Sequence, residues 1–342
     1  MADPYAAAFG LLRRFRLLDP IARMATWRVQ GQDERALATE EFRAKLGLMA
    51  TVLTIEVPDN VPLAQTVDDA LPRRADYMPF ILEGIASKYF TRHPDHSFAQ
   101  EGLAERACPT QLSMLHIGAG MALARRHLAR PQGVAPFLAA CDHIAVPGYR
   151  GCLIEPAGLV AMLDFGGPAI LKQWDLDADS RAWAYHGLGR GLVFGPRAMR
   201  PGRDIRDRPL RDLDELLATL DDPIAIANLV AGCFWALSAV SLERPWLLAD
   251  TLVRIEDKHP RLRVHEAAIV GGICTNLYML HCAHATEDAA GAKPNPRDFF
   301  AYRPSLDRQP EVWDRMVVAP FEDFKAKTDQ QIGLKIESIY RV

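Results

Sequence analysis

The chain has almost no alternation of β-branched and polar residues, so it offers little from which to build a sheet. One segment, Thr51–Val57 (TVLTIEV), reads either as a strand stopped by Pro58 or as the end of a helix begun at Glu34. Net charge is equally scarce. Forty Lys and Arg stand against forty-three Asp and Glu, leaving −3. A chain so balanced has no global field to hold a polyanion, which argues against nucleic acid as a partner. Cysteine is thin and scattered: Cys108, Cys141, Cys152, Cys233, Cys274 and Cys282 form no C-x-x-C, and most sit in apolar runs. They read as reduced, small hydrophobes of a cytoplasmic protein. The opening MADPYAAAFGLLRRF puts Asp3 before a short apolar run and Arg13–Arg14 after it, the reverse of a secretory signal. Two uncharged stretches, Ile226–Leu242 and Ala267–Thr286, approach spanning length. Their Gly, Ala, Asn, Ser and Thr are those of buried helices in a large core, so no membrane span is expected.

What is present is helical. Leu, Ala and Arg abound, and 342 residues, 49% of them hydrophobic, suffice for one large domain or two ordinary ones. Short apolar runs, each with a glycine and further small residues, recur around Gly84, Gly118, Gly151, Gly187, Gly232 and Gly271. Successive glycines lie 34, 33, 36, 45 and 39 residues apart, a pitch typical of stacked helix pairs. The sequence therefore predicts an all-α protein of stacked helix-hairpin repeats, an α/α solenoid or a toroid-like form. Residues 1–62 would be an N-terminal helical cap, 63–289 the repeat core and 290–342 a C-terminal closing segment. Each unit pairs a small-residue helix with an amphipathic one, such as Asp212–Leu220 or Trp246–Asp257. The arginine-rich Gly195–Arg211 reads as the long loop that stretches one interval to 45 residues.

These runs carry a resemblance. MLHIGAGMALAR, then Asp142, Gly148, Tyr149 and Gly151, then YHGLGRGLVF, LVAGCFWALSAV and HPRLRVHEAAIVGG, follow in that order. With LLRRFRLLDPIARMATWRV and FILEGIASKYF before them, the chain resembles the UnbL-type family, a domain of unknown function of enediyne polyketide gene clusters. The resemblance covers roughly residues 10 to 285, and the G-L-G-R-G of Gly187–Gly191 is its most specific piece. Leu82-Glu83-Gly84-Ile85 departs from the family's aromatic-Glu-Gly-Ala, and the family's C-terminal His and Cys segment is not recognisable. The resemblance implies specialised-metabolite (antibiotic) biosynthesis on a long, polyene-like chain. It transfers no catalytic residue.

Most ligand motifs fail on inspection. Gly118-Ala-Gly120 and Gly187-Leu-Gly189 lack the third glycine and the preceding strand of a dinucleotide fingerprint, which leaves close helix packing. Asp68-Asp69 and Asp221-Asp222 are followed by Pro72 and Ala225 where a diphosphate–Mg²⁺ clamp needs Asp. Any terpene cyclase here would be unorthodox. No cofactor is called for. Two alternatives are Mg²⁺ at Asp175, Asp177 and Asp179, read otherwise as a helix cap, and a transition metal at His281 and His284, which share a helix with Cys274 and Asp288. The loop cations Arg197, Arg200, Arg203, Arg206, Arg208 and Arg211 alternate with Asp204, Asp207 and Asp212. They read as a self-paired loop, or as a carboxylate or phosphate clamp at a cavity mouth.

Polar groups recur beside the glycines. Glu83, His116, His186, His265 and Glu266 are the candidate acid–base residues; Tyr149, Trp183, Asn228, Trp235 and Tyr278 are the candidate substrate contacts. If the repeats turn their glycine sides to one apolar cavity, burial raises Glu and lowers His toward the range useful for proton transfer. The bland reading makes each a satisfied core hydrogen-bonder. The expected function is acid/base-assisted cyclisation or tailoring of an apolar polyene or isoprenoid chain. The alternative is a non-catalytic scaffold or chaperone for a polyketide synthase or its product, with a biosynthetic enzyme or a second copy of the chain as partner.

Overall fold

The computed structural model describes residues 9–10, 12, 17–70, 78–105, 107–129, 131–288, 299, 301–305 and 309–329; for 131 and 281–288 it describes the backbone alone. Every regular element among them is helical. In chain order they are α1 (Leu18–Thr26), α2 (Gln32–Thr54), α3 (Leu63–Ala70), α4 (Met78–Arg92) and α5 (Pro109–His127). Next come α6 (Val134–Ile144), α7 (Arg150–Ile154), α8 (Pro156–Leu163), α9 (Ala178–Phe194) and α10 (Arg208–Leu217). The last are α11 (Pro223–Val240), α12 (Pro245–Lys258), α13 (Glu266–Asp288), α14 (Gln309–Trp313) and α15 (Ala319–Asp329). The segment TVLTIEV is mostly helix: α2 absorbs Thr51–Thr54, and the chain becomes extended at Ile55 before Pro58.

Local chemistry sets the helix starts. Pro occupies the first turn of α5, α8, α11 and α12, where its missing N–H costs nothing. Asp222 caps α11 by accepting the Ile224 N–H at 2.9 Å. Helices α9 and α11 are buried nearly all round, whereas α10 buries Leu210 and Leu213 and exposes Glu215. Among the described residues α11 alone is long and apolar enough to cross a membrane, by length and composition, and 78% of it lies inside the protein.

The long helices pack in chain order. Helix α4 lies on α5, α5 on α7 and α8, α8 on α9, α9 on α11 and α11 on α13; α13 also touches α4 and α5. Glycine makes these contacts close. An added Cβ at Gly118 would lie 2.1 Å from the Glu83 carbonyl oxygen, one at Gly187 1.8 Å from that of Glu155, and one at Gly232 1.9 Å from that of His186. The expectation that the glycines floor a shared hollow is therefore corrected: Gly118, Gly187 and Gly232 press on neighbouring backbone, and Gly151 on the Trp183 ring. A methyl-free surface is what lets two helix axes come this near.

Two hydrophobic cores result. The larger runs from Leu48 to Phe321. The smaller gathers Phe9, Ala22, Ala25, Phe42 and Leu46 with Ile205 from the 195–211 segment. Met49 packs against both, so α2 is the seam between them. Buried ion pairs fasten that seam. Arg206 donates to Glu41 at 2.9 Å and lies 2.8 Å from Asp250, and Lys45 lies 2.7 Å from Glu41. Arg254 reaches Glu34 and Asp207 at 2.8 and 2.9 Å. Arg208 donates to the Arg197 and Arg200 carbonyls and to Asp204. Much of the 195–211 segment is thus self-paired.

Candidate functional site

Four buried ionisable side chains meet between α4, α9 and the α7/α8 joint. On α9, His186 and Arg190 are one turn apart and share a face. Glu155 sits at the joint itself, where Pro156 prevents one continuous helix. Glu83 comes from α4, far away in sequence. Arg190 Nη2 donates to both Glu83 oxygens at 3.0 Å, and Arg190 Nη1 donates to Glu155 Oε2 at 3.0 Å. His186 Nδ1 lies 3.1 Å from Glu155 Oε1. The Arg190 guanidinium stands 4.6 Å from the centre of the Trp235 ring, whose edge meets Phe80. None of the four is more than 3% exposed.

One guanidinium serves two carboxylates, and the two respond oppositely. Burial pushes the Glu83 carboxyl up; the nearby Glu155 charge adds to this, and Arg190 opposes it without prevailing. Burial works on Glu155 in the same sense, but Arg190 and His186 outweigh it and hold that carboxyl below the ordinary range. Glu155 is thus the ionised member, so the His186 Nδ1 facing it carries a proton. Glu83 is the carboxyl of the pair that is pushed toward protonation. Two carboxyls driven apart in this way have different chemical uses.

Glu83 and Arg190 line a cavity of about 60 Å³. The other walls are chiefly apolar: Leu48, Met49, Val52 and Leu53 of α2, Phe80 of α4, and Met121, Leu159 and Phe194. Arg125 lies at its edge, 2.8 Å from Asp164. A water needs about 10–15 Å³ of such space, and a ligand pocket about 300–1,000 Å³. The cavity therefore holds a few small atoms as it stands.

The remaining expected site residues lie elsewhere. His116 Nδ1 donates to the Leu112 carbonyl at 2.6 Å and Nε2 accepts the Val146 N–H at 3.1 Å, between the rings of Phe98 and Tyr149. Burial holds it neutral, pushed down to about 3. It is a satisfied core histidine, as Tyr149 is its stacking partner. Asn228 donates to the Ile224 carbonyl at 2.8 Å. Trp183 fills the space a side chain at Gly151 would take. Tyr278 donates to Asp329 at 3.0 Å, and Glu266 pairs with Arg315 beside Glu256. His265, half-buried and lowered by burial, precedes Glu266 on that side. Trp235 does hold a cation over its face, but the cation is Arg190.

Asp177 is engaged as the α9 cap, accepting the Ser180 N–H at 2.7 Å and its hydroxyl at 2.8 Å. The side chains of His281 and His284 lie outside the described residues. Among the described residues, no three His, Cys, Asp or Glu are grouped to hold a metal ion.

Sequence reasoning missed Arg190 and Glu155. The signal was available: Arg190 stands in G-L-G-R-G and Glu155 in L-I-E-P-A-G, each a lone charge in an apolar run. A buried charge must be paired. Comparison with protein families, curated proteins and solved structures finds no match to this chain.

Proposed function

We propose that Glu83 is the proton-transfer group of an enzyme that isomerises, cyclises or otherwise tailors an apolar polyene or isoprenoid chain. The observation that carries this is a carboxyl with a raised pKa opening on an apolar cavity, beside a second carboxyl held ionised. Protonated Glu83 delivers its proton to one carbon of a double bond. Arg190 then holds the Glu83 carboxylate that remains. A proton from another carbon of the same substrate returns to Glu83, so the double bond shifts or a ring closes with no net oxidation. Glu155 and His186 are positioning residues that fix the guanidinium.

The cavity borders the seam between the two cores, and two of its walls, Met49 and Leu53, pack on the smaller one. The reading requires α2 to yield there when a chain enters. It treats the helix order as a toroid-like stack of hairpins whose ring ends near its start. It agrees with the cytoplasmic, specialised-metabolism setting that the UnbL-type resemblance implies.

The test is the Glu83→Gln protein, checked for native fold by circular dichroism and expressed in place of the wild type in the source organism. The expected result is loss of one metabolite with accumulation of its less cyclised or less isomerised precursor. An unchanged metabolite profile from a folded protein overturns the acid–base reading and leaves the polyketide-synthase scaffold.

A further inference from the structure

A second cavity, of about 560 Å³, lies between the end of α8, helices α9 and α10, and the Pro196–Arg200 turn. Its volume falls in the range of small-molecule sites, about 300–1,000 Å³. Met162, Leu192, Leu216 and Leu220 give it an apolar lining. Three features give it polarity. Tyr185 is only 7% exposed, and its hydroxyl makes no hydrogen bond to any described residue. The hydroxyl itself is not a buried atom and keeps access to solvent, so it stays available to a ligand as a hydrogen-bonding group. Arg197 is already taken, 3.0 Å from Asp212 and 3.5 Å from Glu215. Lys172 and Arg200, on two different walls, make no ion pair with any described residue.

We propose that this cavity binds an anionic amphiphile: a medium-length apolar body ending in a carboxylate or a phosphate. The apolar part fills the space between Met162, Leu192 and Leu216. The anionic head meets Lys172 and Arg200, and Tyr185 supplies a hydrogen bond inside. With Arg197 set against Asp212 and Glu215, the lining, with Lys172 and Arg200, keeps a net charge of +1, which favours an anionic head over an uncharged or a cationic one. The site stands independently of the Glu83 chemistry; Leu163 is the one side chain that lines both cavities.

The test is calorimetric titration of the full chain with decanoate, decyl phosphate and decanol. Saturable binding of at least one anion, about tenfold or more tighter than decanol, is expected; tenfold corresponds to about 1.4 kcal/mol. The tighter anion identifies the headgroup. High salt should weaken the anions and spare decanol. The double variant K172A/R200A should remove the preference for the anion while keeping the melting temperature, because both side chains are exposed and unpaired. Leu220→Trp, at the half-buried edge, should block all three ligands. Glu83→Gln should change none of these affinities, which separates this site from the proton-transfer site. Equal binding of decanol and both anions, no saturable binding, or a preference that survives K172A/R200A would overturn the proposal.

Discussion

Replacing Glu83 by Gln removes a carboxyl whose pKa the fold raises. Both of its contacts come from one donor, Arg190 Nη2, at 3.0 Å. Gln keeps one oxygen for that donor, so below the raised Glu83 pKa the variant should lie within about 1 kcal/mol of the wild type, well below the cost of an orphaned charge. The pH dependence is sharper. The folded Glu83 pKa is raised, so between the ordinary carboxylate value and the raised one the native state binds more protons than the unfolded state. Stability is then fully present below the ordinary value and falls as pH rises through the window, by about 1.4 kcal/mol per pH unit. Glu83→Gln lacks this loss. Its stability relative to wild type should climb across the window and level off on either side. Glu155 has the opposite sign: its lowered pKa makes stability drain away as pH falls below the ordinary range. Each Glu155 oxygen has its own donor, so Glu155→Gln sets an amide N–H against His186 or Arg190 and should cost about 1–3 kcal/mol at neutral pH. It should also lower the Glu83 pKa, because Arg190 then serves one carboxylate. Urea titrations at a series of pH values read the stabilities, and carboxyl ¹³C shifts read the Glu83 ionisation. A Glu83→Gln penalty above about 3 kcal/mol, the scale of a broken buried pair, would refute the argument. So would a difference from wild type that does not vary with pH.

Two further outcomes test the framework around the cluster. Gly232→Ala puts a methyl group 1.9 Å from the His186 carbonyl oxygen and must part α9 from α11; overpacking of this kind costs about 1–3 kcal/mol, visible as a lower urea midpoint. His116 is neutral and bound at both nitrogens, so its ¹⁵N resonances should stay constant from neutral pH down to the acid limit of the folded state, its pKa lying at about 3.

The helical class was legible because nothing in the chain alternates. The glycine runs were legible because a residue without Cβ is the local condition for close helix approach. What each glycine faces was not. A small face reads the same whether it borders a hollow or a neighbouring carbonyl, and Gly118, Gly187 and Gly232 face carbonyls. Glu83 and His186 were found because they adjoin glycines. His116 was found by the same rule and is a core hydrogen-bonder, since its partners, Leu112 and Val146, satisfy both nitrogens. Grouping by position next to glycine passed over Arg190 and Glu155, which grouping by lone charge would have caught. Tyr278 and Glu266 were misgrouped for a different reason. Their partners, Asp329 and Arg315, lie beyond residue 289, in a segment whose docking no local pattern reveals.

Burial of charge alone does not mark a functional site, because the described residues hold two buried clusters, around Arg190 and around Arg206. Around Arg206, two cations, Lys45 and Arg206, both bear on Glu41, which is held below the ordinary range despite its burial. That cluster joins α2, the 195–211 segment and α12, and it lines neither cavity described above. Its role follows from what it ties together. Around Arg190 one guanidinium holds two carboxylates, and one of them, Glu83, faces an open space. A structural pair gains nothing from a second carboxyl, since a hydrophobic replacement is often as stable. A carboxyl whose pKa is raised beside a cavity is brought closer to holding a transferable proton. The open space beside Glu83, and the opposite directions in which Glu83 and Glu41 are shifted, separate the latch from the candidate site.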